Sequence, residues 1–392
     1  MTERRLTGVA ARIDARIPRP EDFRSDLRGP GTAARAGTWL GVAFGVCFLT
    51  GLYSHLLQDP VARIPLPTGP ARLYQVTQGV HVAAGTAAVP LLLVKLWSVF
   101  PRLFERPPRQ PRRLVLHLLE KGSIALLVGA AVFQLVTGLA NSAQWYPWSF
   151  GFRQAHFALA WVAVGSILLH VAVKLPAVRA ALGAPLDRAP AAPGAPSRRT
   201  LLRLTGLSAV VAVVATTAAE VPGLRRLAVL AVRSGDGPQG VPVNRSAVAA
   251  GVAGVLEDPA WRLRVVGPDR TVELSLDDLR AMPQHEAVLP IACVEGWSAS
   301  GTWGGVPLRD VVALVGATAE ADVVVRSLQS RGAYRASTVP ARWVAHEDSL
   351  LALTLAGEPL HPDHGYPCRL IAPARPGVLQ TKWLREVEVV GA

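Results

Sequence analysis

Long apolar runs fill the first half of this 392-residue chain and short alternating ones the second. Four apolar segments lie at roughly 38–57, 74–98, 114–140 and 151–175. Each approaches the ~20 residues that carry a helix across a bilayer. A fifth run, about 204–219, is shorter and built mainly from Ala, Val, Thr and Gly. After residue 220 the period changes. "WRLRVV" and "TVELSL" read as strands joined by the turn "GPD", and "DVVVRSL", "CRLIA" and "LREVEVV" as further strands. "SLDDLRAM" opens with a Ser275/Asp278 capping box, and "VPLRDVVALVG" has Pro307 where a helix begins and Gly316 where it stops. The pattern predicts an all-α membrane bundle of four helices with a fifth anchor helix, followed by an α+β domain with a mixed β-sheet.

Charge fixes the expected orientation. A formal net charge of +13 first points to a nucleic-acid partner, but the basic residues cluster between apolar segments, which excludes that reading. They crowd the tail (Arg4, Arg5, Arg12, Arg16, Arg19, Arg24, Arg28, Arg35), the loop "PRLFERPPRQPRR" and the stretch from Lys174 to Arg203. The connections after spans one and three are poor in them, and the latter, "NSAQWYPWSFG", is an aromatic interfacial belt. The expected layout is a cytoplasmic basic tail over 1–37 and a four-span domain over 38–176. A cytoplasmic linker with a twin-arginine-like motif covers 177–203, its Pro/Ala stretch "DRAPAAPGAPS" lying at 187–197; the fifth span covers 204–219 and a second linker 220–240. An extracytoplasmic domain follows over 241–392. Three cysteines, Cys47, Cys293 and Cys368, do not make a disulfide scaffold, so an important one acts as ligand or nucleophile.

Five of the nine histidines fall in or beside the spans: His55, His81, His117, His156 and His170. Ionisable side chains in a bilayer are costly and mark function. His81 and His156 share a depth near the outer side; His117 and His170 share one near the cytoplasmic side. His156 and His170, 14 residues apart, stand about 21 Å apart on nearly one helix face. Two depth-matched pairs predict two bis-histidine haems, His81 with His156 outside and His117 with His170 inside; bonding between helices or proton relay is the other use of such rings. The unit resembles the di-haem cytochrome b subunits of membrane-bound formate dehydrogenases and hydrogenases. Those carry two histidines 14 apart on the fourth span and one on the second. It departs from them in lacking a histidine at the inner end of span one, for which His117 on span three substitutes. His55 is a spare ligand or a quinone-pocket residue. "TGL" recurs at Thr50–Leu52 and Thr137–Leu139, a hint of a duplicated helix pair.

The second constellation is "LPIACVEGWSASGTWGGVPLRDVVALVG", 289–316. Cys293 ends an apolar strand and is followed by a Gly- and Ser-rich segment expected to be a loop, which suits a nucleophile or soft metal ligand. A buried structural cysteine, or a zinc site with His361, His364 and Cys368, are the other readings of these residues. "CVEGWSASGTWGGVPLRDVV", with "DHGYPCRLIAPARPGVLQTKWLREVEVV" downstream, resembles the molybdopterin-binding domain of the sulfite oxidase superfamily over about 241–392. It is most like the bacterial branch that includes the exported methionine sulfoxide reductase catalytic subunit. The resemblance implies that Cys293 is a thiolate ligand of molybdenum and that His364, Arg369 and Lys382 bind the pterin phosphate. It also implies that Asn244 and Arg245 touch the cofactor from the entry loop. Sulfite oxidases follow the cysteine with an arginine-rich cradle. Here Val294, Glu295, Gly296 and Trp297 stand instead; Arg331 and Arg335 could supply positive charge from another loop, or be solvated surface residues.

"SRRTLLRL", from Ser197, is similar to a twin-arginine export signal. Its mid-chain position fits a C-terminal domain loaded with cofactor and folded in the cytoplasm, then exported by the twin-arginine machinery, with the signal retained as the fifth span. The expected function is oxo transfer on a small substrate, coupled through b haems to quinone in the cytoplasmic membrane. The alternatives are a sulfoxide or N-oxide reductase fed by quinol, or a membrane-anchored binding module whose molybdenum site has lapsed.

Overall fold

The computed structural model describes residues 18–61, 64–186, 196–221, 223–231, 237–256 and 258–390. The tail arginines Arg4, Arg5, Arg12 and Arg16, and linker residues 187–195, lie outside the described residues. Five helices are long and apolar enough to cross a membrane: α1 Pro30–Gln58, α2 Leu73–Val99, α3 Pro111–Ser142, α4 Phe152–Gly183 and α5 Arg198–Thr217. Several outrun their apolar stretches. The helix α1 starts inside the segment expected to be tail, because Pro30 fits a helix's first turn and Ala33, Ala34, Arg35 and Ala36 after it favour helix. Arg35 there donates to the carbonyls of Ala181 and Leu182, C-terminal carbonyls of α4 that have no intrahelical partner. In the same way α5 begins at Arg198, ahead of the apolar run; Arg198 donates to the carbonyls of Asp26 and Arg28.

Two compact units result, Met1–Leu49 with Ala83–Val214, and Thr50–Val82 with Ala215–Ala392. In the first, Ala43, Phe44, Ala88, Leu92 and Ala131 form an apolar core with Leu135 and Ile167, so four helices share it. Large apolar side chains such as Trp39, Leu93, Leu116 and Leu168 stand exposed on the outside, as lipid-facing residues do.

The second unit holds two five-stranded sheets. One is mixed, in the order β2 (Thr271–Leu274), β1 (Leu263–Val266), β10 (Leu384–Val390), β5 (Asp322–Ser327), β6 (Ala336–Val339), with only β1 and β10 parallel. The other is antiparallel, in the order β3 (His285–Ala292), β4 (Ser298–Pro307), β7 (Leu350–Leu355), β8 (Glu358–Pro359), with β9 (Arg369–Ile371) also on β7. The Ser275/Asp278 capping box forms as the sequence requires, and helix α6, Leu276–Ala281, follows it. Pro307 caps helix α7, Leu308–Ala313, and Gly316 adopts φ +79° beyond it. The ends of α1 and α2 join this unit: Leu57, Leu66 and Tyr74 are buried in one core with Leu263, Val311, Val325 and Leu370.

One expectation is corrected. The Gly- and Ser-rich segment after Cys293 is not a loop; it is β4, paired residue for residue with β3. Its glycines permit close approach: a Cβ at Gly305 would stand 2.1 Å from the carbonyl oxygen of Leu351, and one at Gly304 2.4 Å from Oγ1 of Thr354.

Candidate active site

Cys293 sits at the turn that joins β3 to β4. Its N–H donates to the carbonyl of Trp297 at 2.8 Å, and the N–H of Gly296 donates back to the Cys293 carbonyl at 3.0 Å. Gly296 adopts φ +95°, a conformation that favours glycine. The cysteine is only 1% exposed, yet it lines a cavity enclosing about 770 Å³, part of it open to solvent. Asn244, Arg245, His364, Arg369 and Lys382 line the same cavity, so the structure brings together all six residues that the sequence marked for this site.

The cationic side of the cavity is buried and held by backbone carbonyls. Arg369, 3% exposed, donates to the carbonyls of His364 (2.9 Å) and Gln380 (3.1 Å) and stands over the Trp303 ring. Burial lowers its pKa to about 9. Lys382 donates to the carbonyls of Arg245 (2.6 Å) and Asp363 (2.9 Å); burial, reinforced by Arg369, lowers it to about 7. These bonds go to carbonyls and not to carboxylates, so neither cation is tied up in a carboxylate hydrogen bond, and an anion in the cavity would favour the charged form of both. Such a cavity selects an anion. Gly365 makes the juxtaposition possible, since its Cβ would meet the Cβ atoms of both Arg369 and Lys382 at 3.0 and 3.1 Å.

His364 donates from Nε2 to the Pro238 carbonyl at 2.6 Å, which leaves Nδ1 as the acceptor of the neutral ring. Burial pushes its pKa down to about 4. Arg331 and Arg335 are exposed, and Gly332, Ala333 and Tyr334 between them line the cavity in their place. Among the described residues no three metal-ligating side chains gather, so His361, His364 and Cys368 assemble no zinc site. Cys368 is buried in the apolar core, where desolvation raises its thiol pKa.

Sequence reading missed Gln380, Thr381 and Gly377, which also line the cavity. Gln380 is 2% exposed and its Oε1 is buried without a hydrogen-bond partner among the described residues. Gly377 brings backbone against backbone beside the cysteine, its Cβ position 3.1 Å from the Ala292 carbonyl oxygen. The run "PGVLQTKWL" carried the signal, between the already noted Arg369 and Lys382. A thiol, paired buried cations and an orphaned acceptor facing one cavity fit an anionic, hydrogen-bond-donating pterin with a thiophilic metal.

The histidines of the helices have their own pattern. Thr50 Oγ1 lies 3.1 Å from Nδ1 of His81, and a Cβ at Gly51 would stand 3.1 Å from Cε1 of that ring. Thr137 Oγ1 lies 2.9 Å from Nδ1 of His156, and a Cβ at Gly138 would stand 3.7 Å from its Cε1. The repeated Thr-Gly pair thus faces a histidine of the following helix twice. No hydrogen bond of this kind holds His117 or His170 among the described residues. His55 forms an ion pair with Asp59 at 3.7 Å, when protonated.

Comparison with known proteins finds a family match in the C-terminal part of the chain. Residues 250–392 match the family model described as "Oxidoreductase molybdopterin binding domain". The chain is similar to the uncharacterized oxidoreductase YuiH of Bacillus subtilis, 35% identical over 130 residues, covering 33% of this chain and 64% of that protein. It is similar to mitochondrial sulfite oxidase of Mus musculus, 33% identical over 162 residues, covering 34% of this chain and 30% of that protein. It also resembles the putative protein-methionine-sulfoxide reductase subunit YedZ1 of Azospira oryzae, 33% identical over 118 residues, covering 30% of this chain and 44% of that protein. The chain therefore spans less than two thirds of each of these relatives.

Proposed function

The C-terminal domain belongs to the sulfite oxidase superfamily of molybdopterin-dependent oxidoreductases, and from that premise we propose that the chain couples oxo transfer outside the cytoplasm to haem in the membrane. The observation that carries this reading is the shared cavity of Cys293, Arg369 and Lys382. When bound, the molybdenum group exchanges an oxygen atom and two electrons with the substrate. The Cys293 thiolate would hold the metal, with its backbone fixed by the turn to Trp297. Lys382 and Arg369 would hold the phosphate, Arg369 through N–H groups not used on carbonyls. Gln380 Oε1 would accept from a pterin N–H. His364, neutral above about pH 4 because burial disfavours its charge, offers Nδ1 as an acceptor.

His81 with His156, and His117 with His170, would carry the two b haems. For the outer haem the Thr-Gly pairs support the assignment. Thr137 gives its own hydroxyl hydrogen to the Phe133 carbonyl at 2.7 Å, so toward His156 it can only accept. That keeps the proton on Nδ1 and places the lone pair on Nε2, as an iron ligand requires. Quinone would be the final acceptor. The reaction balances as substrate, water and quinone giving oxygenated substrate and quinol. The twin-arginine machinery would export the loaded domain, and joining of that domain with the ends of α1 and α2 supports its place on the side of the loop between them.

Sulfite is the less favoured substrate, since Val294, Glu295, Gly296 and Trp297 supply no oxyanion cradle. The likeness to a sulfoxide reductase subunit favours a second reading, reduction of a sulfoxide at the expense of quinol. One experiment separates them. In detergent-purified protein, an oxygen-accepting substrate reduces the b-type bands under the first reading. Under the second, methionine sulfoxide oxidises haem that quinol has reduced. Haem inert to both classes of substrate contradicts the proposal.

A further inference from the structure

The turn that carries Cys293 is gripped by the helix that carries His81. All of these contacts lie within one compact unit. Gln78 Nε2 donates to the carbonyl of Val294, the residue after the cysteine, at 3.1 Å, and Gln78 is itself 8% exposed. Gly296 of the turn packs on Val82, whose Cγ2 lies 2.7 Å from where a Cβ would stand. Gln75 Nε2 donates to Ser298 Oγ at 2.8 Å. Around these contacts Tyr334 donates to Gln58 Oε1 at 2.9 Å, and Arg342 donates to the Leu66 carbonyl at 2.9 Å.

The spacing gives these contacts meaning. Gln78 precedes His81 by three residues, about 4.5 Å along the axis and just under one helical turn, and Val82 directly follows it. A single hydrogen bond therefore links the residue next to the cysteine with the turn of helix that ends in the histidine. Electron tunnelling weakens exponentially with distance, and bonded links carry it better than gaps. The contact of Gln78 with Val294 offers such a bonded link between the cysteine turn and the helix of His81.

Resting on the haem reading above, we propose that the Cys293 turn is the electron-transfer junction to the haem of His81, with Gln78 and Val82 as its positioning residues. With both groups bound, this junction would pass the two electrons of oxo transfer one at a time toward the haem, and quinone would take up both with two protons as quinol.

The test uses the full-length, cofactor-loaded protein. Substrate-driven haem reduction is followed by stopped-flow absorbance, beside turnover with a soluble artificial acceptor that draws electrons from molybdenum. Gln78→Leu should slow haem reduction about tenfold while leaving artificial-acceptor turnover and the haem midpoint potential unchanged. Gln75→Leu, which removes a bond at the same surface but off the direct link, should slow it less than about twofold. Equal slowing in both variants, or none in Gln78→Leu, overturns the junction. If the variants do not fold, the unaltered protein still decides. Its paramagnetic molybdenum signal should relax faster with haem ferric than ferrous, and identical relaxation overturns the proposal. Absence of the haem or molybdenum signal itself defeats the parent reading and this one with it.

Discussion

The hydroxyl of Thr137 stands 2.9 Å from Nδ1 of His156 while donating its hydrogen to the Phe133 carbonyl, and the hydroxyl of Thr50 stands 3.1 Å from Nδ1 of His81. A hydrogen bond of this kind orients a metal-ligating ring, and its loss typically lowers metal affinity about 10- to 100-fold. Thr137→Val and Thr50→Val should each weaken retention of the proposed outer haem on that scale and shift the low-spin signal expected of it, while Thr137→Ser preserves both. Titration of haem into washed protein, read by absorbance and electron paramagnetic resonance, checks this. Unchanged spectra in Thr137→Val would remove the support for the outer ligand pair.

The cavity should make stability depend on pH in a defined direction. Lys382 is lowered to about 7 by burial and Arg369, against ~10.4 when unfolded. Between those values the folded protein without cofactor binds fewer protons than the unfolded chain. Its stability therefore rises with pH through that window, by at most about 1.4 kcal/mol per unit. His364, lowered to about 4 by burial, acts with the same sign: stability falls as pH drops from ~6.5 toward that value. An anionic phosphate beside Lys382 would restore its charge and flatten the upper slope. Melting temperatures of cofactor-free and loaded protein across the two windows should diverge in this way; parallel curves would mean that the phosphate sits elsewhere.

Gly305 and Gly304 should differ in their tolerance of alanine. The new methyl at Gly305 meets the backbone of Leu351, which cannot turn aside, whereas at Gly304 it meets the Thr354 side chain, which relieves the contact by changing its χ1 rotamer. Gly305→Ala should cost about 3 kcal/mol or more and Gly304→Ala nearer 1 kcal/mol. Denaturant unfolding of the two variants measures the gap. Equal small losses would show that β4 and β7 have room to separate.

Much of the fold was legible because its signals are local. Apolar length marked the five helices, period-two runs marked β1, β2, β5, β9 and β10, and Ser275 with Asp278 marked a helix start. The strand β4 was not legible, since glycine serves both a loop and a close strand pairing, and only Leu351 and Thr354, some 50 residues on, tell them apart. The start of α1 was missed because Gly31, Thr32 and Arg35 interrupt the apolar run without ending the helix. In the site, Cys293, Arg369 and Lys382 stood out by residue type and motif. Gln380 did not, because an amide becomes informative only when burial leaves its oxygen without a partner. The grip of Gln78 on Val294 joins residues more than 200 positions apart in sequence, and nothing in either segment announces the other.

Metal content tests the central claim most directly. Elemental mass spectrometry on one detergent-purified sample should find about one molybdenum and about two irons per chain, as one pterin site and two bis-histidine haems require. Cys293→Ser should lose oxo transfer with the irons retained. Iron without molybdenum, from cells that make the cofactor, would contradict an oxo-transfer centre at Cys293; molybdenum without iron would contradict its coupling to membrane haem.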